Sequence, residues 1–276
     1  MDQSAVEQLE LQLLLEALFQ RHGCDFRSYA QATIERAVRG FLPSCGLTEI
    51  SGLIPMVLHD EALCSRLLEA LTVTDTEMFR DPFVYRALRE HVMPVLKTWP
   101  HVKIWHAGCS TGEEVYSTAI VLAEERLYGR TTIYATDFDD SALARAREGI
   151  YESDKMRDFT IAYQEAGGTG SLSDYYRALY GAAVIAPELK TNVTFAEHNL
   201  TTDGALGEMH LIVCRNVLIY FDQGLQNRVL AVFAESLIHG GFLCIGAKED
   251  MRSSPAAAAF EEVDRKARIY KRVIRS

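Results

Sequence analysis

A chain of 276 residues that is 48% hydrophobic can bury a large core, so it has room for one large domain or for a small domain beside a larger one. Its formal net charge of −10 argues against broad electrostatic binding to nucleic acid or to anionic lipid. No apolar stretch has the length of a bilayer span, and the acidic first residues do not resemble a signal peptide. Six dispersed cysteines without a CxxC pair favour reduced thiols over a metal site or disulfides, so the expected location is the cytoplasm.

The first 71 residues carry helical signals only, and we predict an all-helical N-terminal domain there. Apolar residues of the first helix recur at steps of three and four residues, as a helix with one buried face requires. The residues of this predicted face are Val6, Leu9, Leu13, Leu14, Ala17 and Leu18. Gly23 ends the first helix, a second helix is predicted over residues 32–41, and one or two short helices are predicted over residues 50–71.

Residues 72–98 are predicted to join this domain to the rest of the chain and to form a further helix. The pattern T-x-x-E that begins at Thr74 has the form of a capping box, and Asp81 with the proline after it has the form of a helix start. On these residues alone, Thr74 and Thr76 are read as caps and Arg80 as a surface charge, with ligand binding as the alternative.

From residue 102 onward, strand and helix patterns alternate. Strands are predicted over residues 102–107, 131–136, 193–197, 209–214, 242–247 and 268–273, and helices over residues 113–127, 139–148 and 223–239. This alternation indicates an α/β domain with a doubly wound, mostly parallel sheet over residues 99–276. An insertion at about residues 150–192 interrupts it, and the apolar run at 182–186 is a possible short strand.

The segment VKIWHAGCSTGEE at residues 102–114 predicts a strand, a tight turn with glycines and a helix that opens at Glu113. Only Gly108 and Gly112 are present in the turn, so a pyrophosphate cradle is less favoured than a pocket for a nucleoside without phosphates. Asp137, at the tip of the second strand, is placed to accept hydrogen bonds from ribose hydroxyls. The pattern therefore predicts an S-adenosylmethionine site.

Polar residues also follow the later strands. They are Asn199, Arg215 and Asn216. Ligands of doubly wound sheets bind outside the carboxyl ends of the strands, so these residues are expected to converge with Gly108 and Asp137 on one site.

Several segments together carry a family resemblance. They are LTVTDTEMFRDP at 71–82, WHAGCSTGEEVYS at 105–117, YATDFD at 134–139, HNL at 198–200, CRNVLIYFD at 214–222 and RIYKR at 268–272. In this order and spacing they resemble the chemotaxis-receptor glutamate methyltransferase family, CheR, along nearly the whole chain. The resemblance implies a class I S-adenosylmethionine-dependent methyltransferase fold whose last strand is antiparallel, preceded by a small all-α domain. The implied activity is methyl transfer from S-adenosylmethionine to glutamate side-chain carboxylates of chemoreceptor-like proteins, with S-adenosylhomocysteine as the product.

The resemblance also implies roles for single residues. The implied cofactor contacts are Thr74, Thr76, Arg80, Gly108, Glu113, Asp137, Asn199, Leu200, Arg215 and Asn216. Among them, Arg80 meets the methionine carboxylate, Glu113 lies near the methionine amino end, and Asp137 lies at the ribose. Asn199 and Leu200 surround the adenine, and the pair at 215–216 closes the wall near the methyl group. Tyr220 and Arg215 are the implied catalytic residues, with the tyrosine hydroxyl orienting the incoming carboxylate, and no metal is implied.

The implied reaction is a direct displacement. The nucleophile is a glutamate that is already ionised near neutral pH, so no general base is required. The enzyme must align oxygen, methyl and sulfur and must remove water from the carboxylate.

The implied partner is the cytoplasmic helical domain of a chemoreceptor. The second helix offers only Arg36 and Arg39 where the family is rich in arginine, which leaves docking through that helix open. Because the insertion is short, no dependence on a receptor's tethering peptide is expected, and a monomer is expected. Three alternatives stay open: a non-catalytic, cofactor-binding adaptor in a chemosensory pathway, a dinucleotide-dependent oxidoreductase, and a methyltransferase that acts on another acid or on nucleic acid. The acidic net charge argues against the nucleic-acid substrate.

Overall fold

The computed structural model describes residues 3–71 and 76–273. The chain divides into two compact units. The first consists of Met1–Thr74 together with Ile219–Gln226, and the second consists of Asp75–Leu218 together with Asn227–Ser276. Within the described ranges, no single helix has the length and composition to cross a bilayer, and only the pair Gln31–Cys45 and Ile50–His59, bent by 65°, meets both criteria when joined.

The first unit is helical, as predicted. Its helices are α1 (Gln3–His22), α2 (Gln31–Phe41), α3 (Leu53–His59) and α4 (Glu61–Leu71), with 3₁₀ turns at Leu42–Cys45 and Ile50–Gly52. Its core is aliphatic and contains Leu14, Leu18, Val38, Leu53 and Leu67, all with no more than 1% of their surface exposed. Burial of this apolar surface is the main contribution to the stability of the unit.

The predicted buried face of α1 is partly wrong. Val6, Leu9 and Leu13 are 40%, 45% and 51% exposed, whereas Leu11 and Leu15 are buried. Leucines surround this helix between residues 9 and 15, so the period alone does not choose a face. The packing of α1 against α3 determines which face of α1 is buried.

The segment Ile219–Gln226, which follows the predicted strand at residues 209–214, packs with the helices of the first unit. The N–H of Ala30 donates to the carbonyl oxygen of Tyr220 at 2.7 Å, and the N–H of Asp222 donates to that of Ser28 at 2.9 Å. The ring of Tyr29 meets that of Phe221 edge-on, with 5.1 Å between centroids. The segment Ile219–Gln226 thus belongs structurally to the helical unit.

The second unit contains one large sheet and one small sheet. The strands are β1 (Val102–Ala107), β2 (Thr131–Asp137), β3 (Ile150–Glu152), β4 (Tyr176–Leu179), β5 (Ala182–Ile185), β6 (Val193–Glu197), β7 (Met209–Cys214), β8 (Leu237–Ile245), β9 (Phe260–Asp264) and β10 (Ile269–Arg272). The large sheet has the order β6-β2-β1-β7-β8-β10-β9. Its pairs are parallel from β6 to β8, whereas β10 is antiparallel to both neighbours. This confirms the predicted fold, including the antiparallel last strand.

The second unit also contains helices. They are α5 (Pro82–Ala87), a π-helical turn (Leu88–Val92), α6 (Met93–Leu96), α7 (Glu113–Glu124), α8 (Asp140–Glu148), α9 (Met156–Glu165) and α10 (Gln223–Ser236), which begins in the first unit. Strand β7 is buried along its whole length. Its run MHLIVC is accordingly almost entirely apolar, as expected for a parallel strand covered on both sides.

Two parts of the large sheet differ from the sequence predictions. Helix α10 ends at Ser236 rather than at residue 239, and β8 starts at Leu237 and runs through the two glycines. The apolar residues 237–238 continue the helical pattern, which explains why the predicted helix extends beyond Ser236. Strand β9 was not predicted, because it is an edge strand in which Glu261 and Glu262 are exposed.

The insertion forms the small antiparallel sheet, with the order β3-β5-β4, and the helix α9. The possible strand at residues 182–186 is confirmed as β5, whereas β3, β4 and α9 were not predicted. Tyr180, at the tip of the β4–β5 hairpin, is fully exposed.

Candidate active site

The turn after β1 folds back onto the end of β2. The N–H groups of Gly108 and Cys109 both donate to the carbonyl oxygen of Thr136, at 2.8 and 2.9 Å. Gly108 has a φ of 75°, and a Cβ atom there would lie 2.6 Å from Cγ2 of Val217. Because any other residue would be strained in its backbone and would clash, this corner requires glycine.

Asp137 ends β2 with its carboxylate at the same corner. One oxygen accepts a hydrogen bond from the N–H of Ser110 at 2.8 Å, and the other accepts one from the N–H of Asp139 at 3.1 Å. Burial raises the pKa of Asp137, and the two donors offset only part of that effect. The Ser110 hydroxyl is buried and has no hydrogen-bond partner among the described residues. The corner therefore offers a carboxylate and a hydroxyl to a ligand that carries hydroxyl groups.

Glu113 opens α7 with a carboxylate that is 5% exposed. It accepts a hydrogen bond from the Thr111 hydroxyl at 2.7 Å. Burial raises the pKa of Glu113 to about 7, because Thr111 and the helix backbone compensate only part of the lost hydration. A cationic ligand group would favour the ionised form of this carboxylate.

Arg215 follows β7, and only 1% of its side chain is exposed. Nη1 donates to Oε2 of Glu114 at 2.6 Å, and Nη2 donates to Oδ2 of Asp81 at 2.8 Å and to the carbonyl oxygen of Arg80 at 3.1 Å. Burial favours a lower pKa, but the two carboxylates keep the pKa of Arg215 above its ordinary value. Burial likewise opposes ionisation of Glu114, yet Arg215 and the nearby His106 hold its pKa below the ordinary value. Arg215 and Glu114 thus form a buried ion pair, and Asp81 binds the same guanidinium from a partly exposed position.

The segment before α5 contains two non-glycine residues in the left-handed region, Phe79 with φ 56° and Asp81 with φ 54°. The N–H of Phe79 donates to the hydroxyl oxygen of Ser117 at 2.9 Å. The predicted helix start at Asp81 is confirmed in position. Its predicted capping role is wrong, since its side chain makes no capping bond and is bound by Arg215 instead.

The loop after β6 is held by its own side chains and by one distant arginine. Oδ1 of Asn199 accepts from the N–H and the hydroxyl of Thr201, at 2.9 and 2.7 Å. Leu200 is nearly buried. The guanidinium of Arg228 donates to the carbonyl oxygens of residues 200–203, among them that of Leu200 at 3.0 Å. This loop is therefore fixed before any ligand binds.

The backbone after β7 passes close to the end of β8. Asn216 has a φ of 60°, and a Cβ atom on Gly246 would lie 2.8 Å from the backbone nitrogen of Asn216. The buried carboxylate of Glu249 accepts from the N–H of Gly246 at 2.5 Å. Glu249 thereby fixes the backbone directly after β8, where Gly246 lies against Asn216.

The predicted cofactor residues of the second unit lie at the carboxyl ends of four neighbouring parallel strands, β1, β2, β6 and β7. They are Gly108, Glu113, Asp137, Asn199, Leu200, Arg215 and Asn216. Arg80 joins them through the bond from Arg215 to its carbonyl, and Thr76 is partly buried. Thr74 lies outside the described residues, and Tyr220 belongs to the first unit. Their contacts with a ligand stay predictions.

Several residues that support this site were not found from the sequence. They are Ser117, Glu114, Arg228 and Glu249, together with Asp81 in its role as a partner of Arg215. Arg215 lies 134 positions from Asp81 and 101 from Glu114, so no local pattern could pair them. The one signal in the sequence for such an ion pair is the presence of two adjacent glutamates, Glu113 and Glu114, at the start of an apolar helix.

The chemistry of these donors fits a nucleoside with a charged amino-acid end better than a metal. In the described ranges no group of three or more His, Cys, Asp or Glu side chains could hold a metal ion. The sheet order, the antiparallel β10 and the ligand corner after β1 and β2 define a class I S-adenosylmethionine-dependent methyltransferase.

The chain belongs to the CheR methyltransferase family: the family's all-alpha domain matches residues 9–72, and its SAM-binding domain matches residues 74–267. This confirms the predicted family, cofactor and activity, the S-adenosylmethionine-dependent methylation of chemoreceptor glutamates.

Relatives align over most of the chain. The protein Cher3 from Pseudomonas putida is 46% identical over 264 residues, which cover 96% of this chain and 97% of the relative. A chemotaxis protein methyltransferase from Listeria monocytogenes is 30% identical over 236 residues, 83% of this chain and 85% of the relative. Among solved structures, the N-methyltransferase NodS from Bradyrhizobium japonicum covers 73% of this chain and 90% of that chain, at 14% identity and a TM-score of 0.41.

Proposed function

We propose that this chain methylates glutamates on the cytoplasmic helical domain of a chemoreceptor and that residues at the carboxyl ends of β1, β2, β6 and β7 hold the S-adenosylmethionine. The observation that carries the proposal is a pair of carboxylates at the turn after β1, the partly buried Asp137 and the buried Glu113. S-adenosylmethionine supplies a methyl group on a positively charged sulfur. Asp137 and the unpartnered hydroxyl of Ser110 would hold the ribose, and Glu113 the ammonium group.

The linker and helix at residues 72–98 contribute to the same site in this proposal, through Arg80. Its guanidinium would pair with the methionine carboxylate, an interaction that is strong because both groups are charged. Thr76 and Thr74 would contact the cofactor from the preceding positions. Asn199 and Leu200 would enclose the adenine.

The acceptor carboxylate needs orientation and loss of water rather than a base, because it is already ionised. Correct alignment of reacting groups can supply roughly 7–11 kcal/mol of a barrier. Tyr220 is the proposed group that orients the carboxylate. Arg215 is less suited to bind the acceptor carboxylate directly, because its guanidinium already binds the carboxylates of Asp81 and Glu114. Only its buried Nε–H has no partner among the described residues.

The proposed docking surface for the receptor lies on the helical unit. A groove of about 520 Å³ is lined by Thr33, Arg36, Ala37, Ala70, Leu71, Ile219 and Tyr220. Arg39 is engaged by Glu7 at 2.5 Å and by Glu35 at 2.7 Å, whereas Arg36 has no ion-pair partner in the described part of the chain. Arg36 is therefore the proposed contact for an acidic receptor helix. The protein would act in the cytoplasm as a monomer and without a tethering peptide.

The test is methyl transfer from radiolabelled S-adenosylmethionine to cytoplasmic receptor fragments, with peptide mapping of alkali-labile methyl esters. We expect label on glutamates with the wild-type chain and at least a tenfold lower rate with Asp137→Asn, since a hydrogen bond between ribose and a charged group is lost. Asp158→Asn, on an exposed face of α9, is the matched control. Cofactor binding without any transfer to receptor fragments would favour the adaptor instead.

A further inference from the structure

The turn at residues 79–81 is held in an unfavourable backbone conformation. Phe79 and Asp81 both have positive φ, and neither is a glycine. Such a conformation persists only where the surroundings determine it strongly. Arg80, the proposed partner of the methionine carboxylate, lies between these two residues.

The first restraint on the turn comes from helix α7. The N–H of Phe79 donates to the Ser117 hydroxyl at 2.9 Å, and that hydroxyl donates to the carbonyl oxygen of Glu113 at 2.7 Å. The Phe79 ring is fully buried and packs on Tyr85 and Tyr163, with centroids 5.1 and 5.2 Å away. The turn is thus fixed to the helix that begins with Glu113.

The second restraint is the clamp around Arg215. One guanidinium nitrogen binds both the carboxylate of Asp81 and the carbonyl oxygen of Arg80, and the other binds Glu114. Glu114 is the residue next to Glu113 on α7. The clamp therefore sets the distance between the Arg80 backbone and the start of α7. Arg80 and Glu113, the two proposed contacts for the methionine end of the cofactor, belong to these two segments.

We propose that Asp81, Glu114 and Ser117 are positioning residues for the amino-acid end of the cofactor. They hold the turn at 79–81 against α7, so that Arg80 and Glu113 are spaced for the carboxylate and ammonium groups before the cofactor binds. The inference rests on the proposed function, because it takes Arg80 and Glu113 as cofactor contacts. Pre-organisation of this kind raises affinity because the free protein does not have to be ordered on binding.

The test compares two probes by calorimetry: S-adenosylhomocysteine, and methylthioadenosine, which lacks the amino-acid end. With Asp81→Asn, which keeps an acceptor oxygen but removes the charge, we expect the Kd of S-adenosylhomocysteine to rise about tenfold, from the loss of one charge-assisted hydrogen bond. The Kd of methylthioadenosine should stay within about twofold, because that probe does not reach Arg80. In an Arg80→Met background, the effect of Asp81→Asn should largely vanish.

Ser117→Ala is the second variant, should Asp81→Asn fold poorly, and the same contrast between the probes is expected. Equal losses for both probes, or unchanged binding of S-adenosylhomocysteine by a folded variant, would overturn the positioning role. Failure of the wild-type chain to bind S-adenosylhomocysteine would instead refute the proposed function itself.

Discussion

At the scale of single residues, the chemistry of the site depends on burial. Asp137 and Glu113 are carboxylates from which water is largely excluded, and both have raised pKa values for that reason. Glu114 lies next to Glu113 in sequence but has a lowered pKa, because it faces Arg215. Of these two adjacent glutamates, Glu113 is the proposed partner of a ligand cation, whereas Glu114 is engaged in an internal ion pair.

The raised pKa of Glu113 predicts that cofactor affinity depends on pH. The carboxyl has a pKa of about 7 in the free protein, so it must lose a proton before it can pair with the ammonium group. We expect the affinity for S-adenosylhomocysteine to fall as the pH is lowered through about 7, and binding below that pH to release a proton. Titration calorimetry in buffers of different ionisation enthalpy measures both effects. Glu113→Gln should bind weakly and lose this dependence, and a pH-independent wild-type Kd would count against the pairing.

Gly108 provides a prediction about stability. Gly108→Ala combines a positive φ with a Cβ contact of 2.6 Å to Val217, so it should lower the free energy of unfolding by about 1–3 kcal/mol. Urea denaturation measures the loss. Gly129→Ala is the matched control, since no atom would lie within 4 Å of the new Cβ and its φ is not in the left-handed region. If Gly108→Ala and the control had the same midpoint of urea denaturation, the turn after β1 would accommodate the new Cβ atom and the prediction would be wrong.

At the scale of elements, the site is assembled from loops that distant side chains hold in place. The loop after β6 illustrates this, because Arg228 on α10 binds its carbonyl oxygens at residues 200–203. The backbone order of this surface loop thus depends on one guanidinium. Most of these carbonyl groups are exposed and can bond to water instead, so loss of Arg228 mainly costs the order of the loop.

Arg228→Met should therefore disturb the proposed adenine contacts. We expect the Kd values of S-adenosylhomocysteine and of methylthioadenosine to rise together, by about tenfold, since both probes carry the adenine. This pattern contrasts with the one expected for Asp81→Asn. Arg157→Met, on the exposed side of α9, is the control. An effect on S-adenosylhomocysteine alone would place the adenine elsewhere.

The elements that the sequence predicted well are those with strong local signals. The strand, glycine turn and helix at 102–124 could be predicted because buried parallel strands are continuous apolar runs and the turn needs glycine. Strand β9 could not, because its exposed glutamates hide the strand pattern. The partnership of Asp81 with Arg215 could not be predicted either, since it depends on tertiary contact across 134 positions.

At the scale of the whole molecule, the two units divide the proposed tasks. The helical unit carries the groove with Arg36 and Tyr220, and the α/β unit carries the proposed cofactor site. The chain has a net charge of −10, so docking on an acidic receptor helix requires a local positive group. Arg36 is the candidate for this contact.

The matched pair Arg36→Gln and Arg39→Gln tests this division. Arg36→Gln should raise the KM for receptor fragments several-fold and leave the Kd of S-adenosylhomocysteine unchanged, because only receptor docking loses a charge. Arg39→Gln should change the KM little, since Arg39 is already paired with two glutamates. Steady-state methylation at fixed ionic strength measures both. Equal effects of the two substitutions would contradict a specific role of Arg36.

The most direct test of the central claim is a crystal structure of the protein with S-adenosylhomocysteine. The account predicts the ribose hydroxyls at the carboxylate of Asp137, the ammonium group at Glu113 and the methionine carboxylate at the guanidinium of Arg80. Arg215 should keep its bonds to Asp81 and Glu114 in the complex. A nucleoside bound away from the turn at residues 108–113, or an Arg215 released from both carboxylates to hold the ligand, would contradict the account.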